Sequence, residues 1–374
     1  MTAKKIAHSL HLWLGIPSGL LVFVIALTGC MYVFKTEIES ITQPYRSIAA
    51  ATSPLLPPSV LIQRAELQLP GKPLMSLNYR PKGQAAEAFF YGSNPDYYYS
   101  VFIHPYTGEV LKVKDNRSGF FAWALKGHAY LWLPPHIGRP VVATATLVFV
   151  IVLLSGLILW IPKSKKAVKQ ALTFQWKKRT GIRKKMFDLH NVFGLYTLFI
   201  GLAVALTGLV WGFQWFSESS YWLTGGKKTL WAPTPASIPD AETASIHLSQ
   251  AMDQVFERML IEYPKAKVIG IQQPQDDQSA ITATANASSK TYWKTEYRYF
   301  DRFTLHELPA TSLYGRLDDA DAADKLRRMN YDIHVGAIGG LAGKMILFWA
   351  SLLIATLPVT GFWLWYKKRT RRNH

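Results

Sequence analysis

Four stretches of the chain, residues 12–34, 140–161, 192–216 and 345–366, each run for more than twenty residues without an Asp, Glu, Lys or Arg. The hydrocarbon core of a bilayer is about 30 Å thick and takes about 20 residues of helix, so each run is long enough to cross it. A helix satisfies its own backbone hydrogen bonds in lipid, where water cannot. The expected fold is therefore a polytopic α-helical membrane protein with a four-helix transmembrane bundle.

The distribution of charge fixes which way the helices point. The 374-residue chain has a formal charge of +18, which on a water-facing surface would suggest nucleic acid. Two lysines precede His11, ten basic residues lie between Lys163 and Lys185, and five follow from Lys367, with only Asp188 opposing these seventeen. The other twenty-five basic residues meet twenty-three acidic ones in 35–139 and 217–344. The positive-inside rule makes the unbalanced face cytoplasmic. The excess charge is then a topology signal, with the lipid bilayer as a partner and no nucleic acid.

The expected order follows. Residues 1–34 are a cytoplasmic N-terminus and the first transmembrane helix, and 35–137 are an exported α+β segment. Residues 138–161 are the second helix, 162–189 a basic cytoplasmic loop, and 190–216 the third helix. Residues 217–336 are a second exported α+β segment, 337–366 the fourth helix, and 367–374 a basic cytoplasmic tail. In the first exported segment, YYYSVFIHPYTGEVLKV (97–113) reads as a strand pair around a turn. In the second, SIHLSQAMDQVFERMLIEY reads as a helix, followed by strand-like runs at KVIGIQQ, SAITATA and YWKTEYRYFDRFTLHEL. The two read as separate small modules. One cysteine allows no internal disulfide in either.

The transmembrane helices repeat. His11-Leu-Trp-Leu-Gly15 matches His190-Asn-Val-Phe-Gly194, and fourteen residues beyond each glycine come Thr28-Gly29 and Thr207-Gly208. Gly138-Arg139 and Gly343-Lys344 are each followed, eighteen residues after the glycine, by Gly156-Leu-Ile-Leu-Trp160 and Gly361-Phe-Trp-Leu-Trp365. His128 lies ten residues before Gly138, and His334 nine before Gly343. The bundle thus reads as a duplicated two-helix unit.

The repeat brings two histidines to each membrane face: His11 and His190 inside, His128 and His334 outside. A single interfacial histidine is commonly bonded only to water or a carbonyl. Two neutral imidazoles from facing helices are also the axial pair that six-coordinate haem iron accepts. The expected cofactors are two haem b groups, non-covalent because no C-x-x-C-H occurs. His8 and His136 lie close to these positions but lack repeat partners.

Eighteen residues of helix rise about 27 Å, so each glycine reaches the face opposite its own helix's histidine end. Gly29 and Gly208 reach the level of His128 and His334, and Gly156 and Gly361 that of His11 and His190. They would let a flat porphyrin approach the backbone, or let helices pack closely without any cofactor. Arg139 and Lys344 could meet haem propionates or reach to lipid headgroups.

These motifs, with the P-x-T-G-E-V-L turn, resemble the PepSY-associated transmembrane family over the whole chain. Some members of that family are bacterial inner-membrane ferric-siderophore reductases carrying two haems. The resemblance makes the exported segments PepSY-like. It implies an oxidoreductase of the inner (cytoplasmic) membrane, multi-pass with both termini cytoplasmic. Such a protein would pass electrons to a ferric siderophore or other ferric chelate on the periplasmic side, releasing Fe(II) for uptake. Its implied axial ligands are His11 and His190 for the inner haem, and His128 and His334 for the outer. The chain departs from the family pattern at Ile161-Pro162 and Tyr366-Lys367, where a Trp-Pro ending is expected.

No dinucleotide fingerprint is present, and GGLAGKM (339–345) lacks a P-loop's spacing, so the electron donor is expected to be a separate reductase or a quinol. The basic inner loop, with Phe174 and Trp176, could dock that donor or lie on anionic lipid. The alternative reading is a non-redox anchored protein whose PepSY-like segments bind or regulate a periplasmic peptidase or peptide.

Leu27-Thr28-Gly29-Cys30 also resembles a lipoprotein cleavage box. Its copy in the third helix, ALTGL, has no cysteine, and cleavage would discard His11. The expected intact mass of the purified protein therefore includes residues 1–29. A mass lacking them and carrying lipid on Cys30 would show a leader instead.

Overall fold

The structure is a computed structural model and describes residues 2–49, 53–162, 168, 171–238 and 246–370. Lys163, Lys165, Lys166 and Lys169 of the basic loop, and Arg371 and Arg372 of the tail, lie outside these residues. In chain order the described α-helices are α1 (Ala3–Val33), α2 (Lys35–Thr42), α3 (Pro58–Glu66), α4 (Phe120–Tyr130), α5 (Pro135–Trp160), α6 (Ile182–Gly212), α7 (Gln214–Leu223), α8 (Leu248–Glu262), α9 (Ala322–His334) and α10 (Gly340–Thr370). The strands are β1 (Leu74–Tyr79), β2 (Ala86–Ser93), β3 (Asp96–Ile103), β4 (Val110–Asp115), β5 (Val268–Gln272), β6 (Ile281–Asn286), β7 (Glu296–Phe300) and β8 (Glu307–Leu308). The chain divides into two compact units.

The first unit comprises Met1–Lys35, Phe120–Ser220 and Asn330–His374. Its α1, α5, α6 and α10 are the four helices long and apolar enough to cross a membrane, so this is a multi-pass membrane protein. Small residues let them approach. A Cβ placed on Gly19 of α1 would lie 3.1 Å from Pro358 Cβ of α10, and one on Gly212 of α6 would lie 2.7 Å from Ala143 Cβ of α5. Lipid gives helices no hydrophobic reason to associate, so such close contact contributes directly to their packing.

His128 and His334 do not sit on the membrane helices themselves. They lie near the ends of the short helices α4 and α9, which fold back before α5 and α10 begin. The paired glycines of the repeat close those reversals. A Cβ on Gly138 would lie 2.2 Å from the Tyr130 carbonyl oxygen, and one on Gly343 would lie 2.3 Å from that of Gly336, which itself has φ of +72°. Only a residue without a side chain fits at either point.

The second unit comprises Thr36–Gly119 and Tyr221–Met329. Separate modules were expected from the two segments; instead they share one eight-stranded sheet in the order β4-β3-β2-β1-β5-β6-β7-β8. The central pair, β1 with β5, is antiparallel, with Leu77 opposite Ile271 and Asn78 opposite Gly270. Each half is a helix followed by four strands, α3 with β1–β4 and α8 with β5–β8, so the duplication extends into the sheet. A four-stranded half would leave its first strand as an open edge, and pairing β1 with β5 covers both edges at once.

The core lies where α3 and α8 pack on the sheet. Leu61 and Ala65 from α3 and Val255, Phe256 and Met259 from α8 meet Leu77, Phe90, Ile103, Ile271 and Phe300. Phe256 stacks on Tyr79 with ring centroids 4.2 Å apart. The helix read at 245–263 is α8, and the strand pair read at 97–113 is β3 and β4, joined by the P-x-T-G turn.

The Arg298 side chain is fully buried in this unit. Arg298 on β7 donates two hydrogen bonds to Glu307, at 2.5 and 2.6 Å, and one to Glu262 at 2.5 Å. Burial alone would raise the Glu307 carboxyl pKa, but hydrogen bonds from Arg298 and Arg316 outweigh it and hold it below the ordinary range. Glu262 is lowered by the same balance, with Arg298 and Arg258 as donors. Carboxylates that bind protons less tightly folded than unfolded stabilise the fold above the unfolded pKa of about 4.3, and lose that contribution as pH falls through the lowered folded values. Arg298→Ala is expected to destabilise this unit by about 3 kcal/mol, at the low end for a broken buried pair because both carboxylates reach water. Thermal unfolding at pH 7 reads that loss, and the difference from wild type should shrink as pH is lowered below about 4.

Candidate functional site

The four histidines of the repeat come together as two facing pairs. The rings of His11 and His190 have centroids 6.1 Å apart with planes at 86°. Those of His128 and His334 are 6.0 Å apart at 60°.

One device holds all four rings. His11 Nδ1 lies 3.0 Å from the Val152 carbonyl oxygen on α5, and a Cβ on Gly156 would stand 3.1 Å from His11 Cε1. His190 makes the same contact with α10, at 3.1 Å from the Leu357 carbonyl, over Gly361. His128 meets the Ile25 carbonyl of α1 at 2.8 Å over Gly29, and His334 meets that of Val204 on α6 at 3.1 Å over Gly208. In each case the carbonyl belongs to the residue four before the glycine, one helical turn away. The missing side chain is what lets the imidazole edge reach it.

The hydroxyl residue before each glycine bonds to the same carbonyl. Ser155 donates to Val152 at 2.9 Å, Thr360 to Leu357 at 3.0 Å, Thr207 to Val204 at 3.0 Å and Thr28 to Ile25 at 3.2 Å. Ser155, Thr360 and Thr207 also lie within 3.3 Å of the histidine Nδ1. A carbonyl oxygen only accepts, so a neutral imidazole bonded to it carries its proton on Nδ1. The Nε2 lone pair is then left for another partner. Among the described residues, each of the four imidazoles is hydrogen-bonded through Nδ1 alone.

A cavity of about 1470 Å³ surrounds the inner pair. It is larger than the roughly 300–1,000 Å³ of ordinary small-molecule pockets. Gly15 and Gly194, one turn after His11 and His190, line it, and a Cβ on Gly194 would meet nothing within 4 Å. At the outer pair, the Trp211 ring stands edge-on to His334 with centroids 5.0 Å apart.

The other candidates fall elsewhere. His8 is exposed and lines the inner cavity, while His190 faces His11. His136 is exposed at the start of α5. Arg139 is exposed over the Tyr130 ring, at 5.9 Å, and Lys344 is on the first turns of α10. The aromatics of the basic loop turn back onto α6: Trp176 donates to Asp188 at 3.1 Å, and Phe174 packs on Phe193.

Gly29, Gly208, Gly156 and Gly361 were expected beside a porphyrin; the side chains nearest them are the histidine rings. Gly194 is the glycine with open space beside the inner pair, while a Cβ on Gly15 would make ordinary contact with Val152 Cγ1 at 3.8 Å. The H-x3-G spacing carried that signal, since residues four apart share a helix face. The [ST]-G step carried the signal for the hydroxyls.

The residues present suit haem. Two metal–nitrogen bonds of about 2 Å, with the distance from each Nε2 to its ring centre, place facing imidazole centroids about 6 Å apart. Both pairs have that separation, and the carbonyl bond at Nδ1 is the usual partner of a metal-ligating histidine.

The fold and these pairs define a multi-pass helical membrane protein with a duplicated, histidine-paired bundle and an antiparallel α+β unit. The PepSY-associated TM region matches residues 8–368, and the chain belongs to that family. A comparison with curated proteins finds no match.

Gly156→Leu should displace His11 and the helix packing around it, costing about 1–3 kcal/mol as overpacking does. In protein prepared without haem, Gly194→Ala should be neutral or slightly stabilising, because it adds helix propensity into open space. Thermal unfolding of the two variants in detergent compares them directly.

Proposed function

We propose that the protein moves electrons across a bacterial cytoplasmic membrane through two haem b groups, from a donor on the cytoplasmic side to a ferric siderophore or other ferric chelate on the periplasmic side. The observation that supports this most is the pair of facing histidines at each level, each ring fixed through Nδ1 and, among the described residues, with no hydrogen bond at Nε2. Haem, when bound, supplies reversible one-electron chemistry.

The chain's own part is to hold that chemistry at two depths. His11 and His190 would ligate the inner group, and His128 and His334 the outer. The carbonyls of Val152, Leu357, Ile25 and Val204 hold the proton of each neutral ligand on Nδ1 and orient its ring. The apolar walls of the inner cavity exclude water. The basic loop and tail face the cytoplasm, and the α+β unit is periplasmic. One electron delivered to the acceptor converts its Fe(III) to Fe(II), which hard-oxygen chelators hold more weakly. The donor is a separate reductase or a quinol.

Absorption spectroscopy of protein purified from haem-replete cells tests the reading: a sharp α band on reduction and two haems per chain are expected. A colourless preparation would sink it and leave the non-redox, peptide-binding alternative. His128→Ala should lose one haem of the two and keep the spectrum of the inner one; unchanged content would remove His128 from the ligand set. Mixing reduced protein with a ferric siderophore and a ferrous chelator should speed haem reoxidation. A rate equal to that without siderophore would point to another acceptor.

A further inference from the structure

The inner cavity is apolar along its walls but has a polar end. Trp160, at the end of α5, lines it, and its indole nitrogen Nε1 is buried without a hydrogen-bond partner. Arg183 on α6 and Lys368 on α10 line the same cavity, and among the described residues neither side chain has an ion-pair or hydrogen-bond partner. Lys184 also lines it but is engaged with Asp188.

These three groups lie on one side of the histidine pair. Trp160 is four residues beyond Gly156, the glycine under His11, which is about 6 Å along the helix. Arg183 is seven residues before His190, and Lys368 seven beyond Gly361, the glycine under His190; each is about 10 Å along. The duplicated helices run in alternate directions, so all three steps lead toward the basic, inner end.

A buried N–H with no acceptor costs free energy unless something in the cavity accepts from it. Arg183 and Lys368, exposed on the lining of the same cavity, favour an anion as that acceptor. Basic residues near a membrane face can also extend to lipid phosphates, but that leaves the buried indole N–H unexplained. The only anionic edge of haem b is its pair of propionate carboxylates. Resting on the haem reading above, we infer that Trp160, Arg183 and Lys368 form the propionate site of the inner haem and orient it with its carboxylates toward the cytoplasmic end. Trp160 donates from Nε1 to one carboxylate, and the two cations neutralise the pair. Burial of the charged edge then occurs only where it is compensated.

The test uses the full-length protein in nanodiscs of purely zwitterionic phosphatidylcholine. Trp160→Phe, Arg183→Gln and Lys368→Gln are compared with wild type, and Arg183→Lys serves as the conservative rescue. Transfer of haem to apomyoglobin is expected to become roughly tenfold or more faster for the inner haem in each of the three, with the outer haem unaffected. The propionate-bending band in resonance Raman should shift, the inner midpoint potential should fall on loss of either cation, and Lys at 183 should recover part of each change. Wild-type transfer rates and an unmoved band in all three variants, with both haems bound, would overturn the assignment and leave the haem reading intact. Effects that appear only after anionic lipid is added would also overturn it, by assigning the cations to lipid phosphate. A wild-type protein without haem would overturn the parent reading as well.

Discussion

The membrane unit depends on one hydrogen bond made four times, from an imidazole Nδ1 to a helix carbonyl exposed by a glycine. Lipid offers helices no hydrophobic gain for packing together, so polar contacts and close backbone approach decide which surfaces meet. These bonds join α1 to α5 and α4 to α1 in the first half, and α6 to α10 and α9 to α6 in the second. All four lie within a half. The facing pairs, His11 with His190 and His128 with His334, lie between halves. Orientation is thus settled locally, and the two halves bring already fixed rings face to face.

The same logic explains why glycine recurs beside a hydroxyl residue. The hydroxyl of Ser155, Thr360, Thr207 or Thr28 turns back onto the carbonyl that the histidine uses. The glycine that follows leaves room for the ring edge. A larger residue at the glycine would meet the ring directly. In the second unit the corresponding long-range constraint is the β1–β5 pair, where Gly270 leaves room for Asn78 and Thr284: a Cβ there would lie 2.4 and 2.5 Å from their side-chain oxygens.

Much of this was legible in the residues. Uninterrupted apolar runs gave the four spans, because crossing a bilayer is a matter of length and composition. Alternation gave β3 and β4, and helical periodicity gave α8. The strand β1, LMSLNY, was not legible, since its residues carry little strand preference and its stability comes from partners on both sides, β5 lying some 190 residues away. For the same reason the single sheet was not visible. Separate segments read as separate modules when their pairing is non-local.

The sequence by itself determined the number of spans, the uneven charge across them, and the duplicated histidines and glycines, because each is a matter of composition or spacing along one chain. Only the tertiary structure decided that the histidines face one another in pairs 6.1 and 6.0 Å apart, and that Gly156, Gly361, Gly29 and Gly208 lie under their rings. It also placed Trp160, Arg183 and Lys368 on the lining of one cavity. Spacing fixes how far a residue lies along its own helix. Which neighbour it meets depends on helix rotation and crossing, and packing alone sets those.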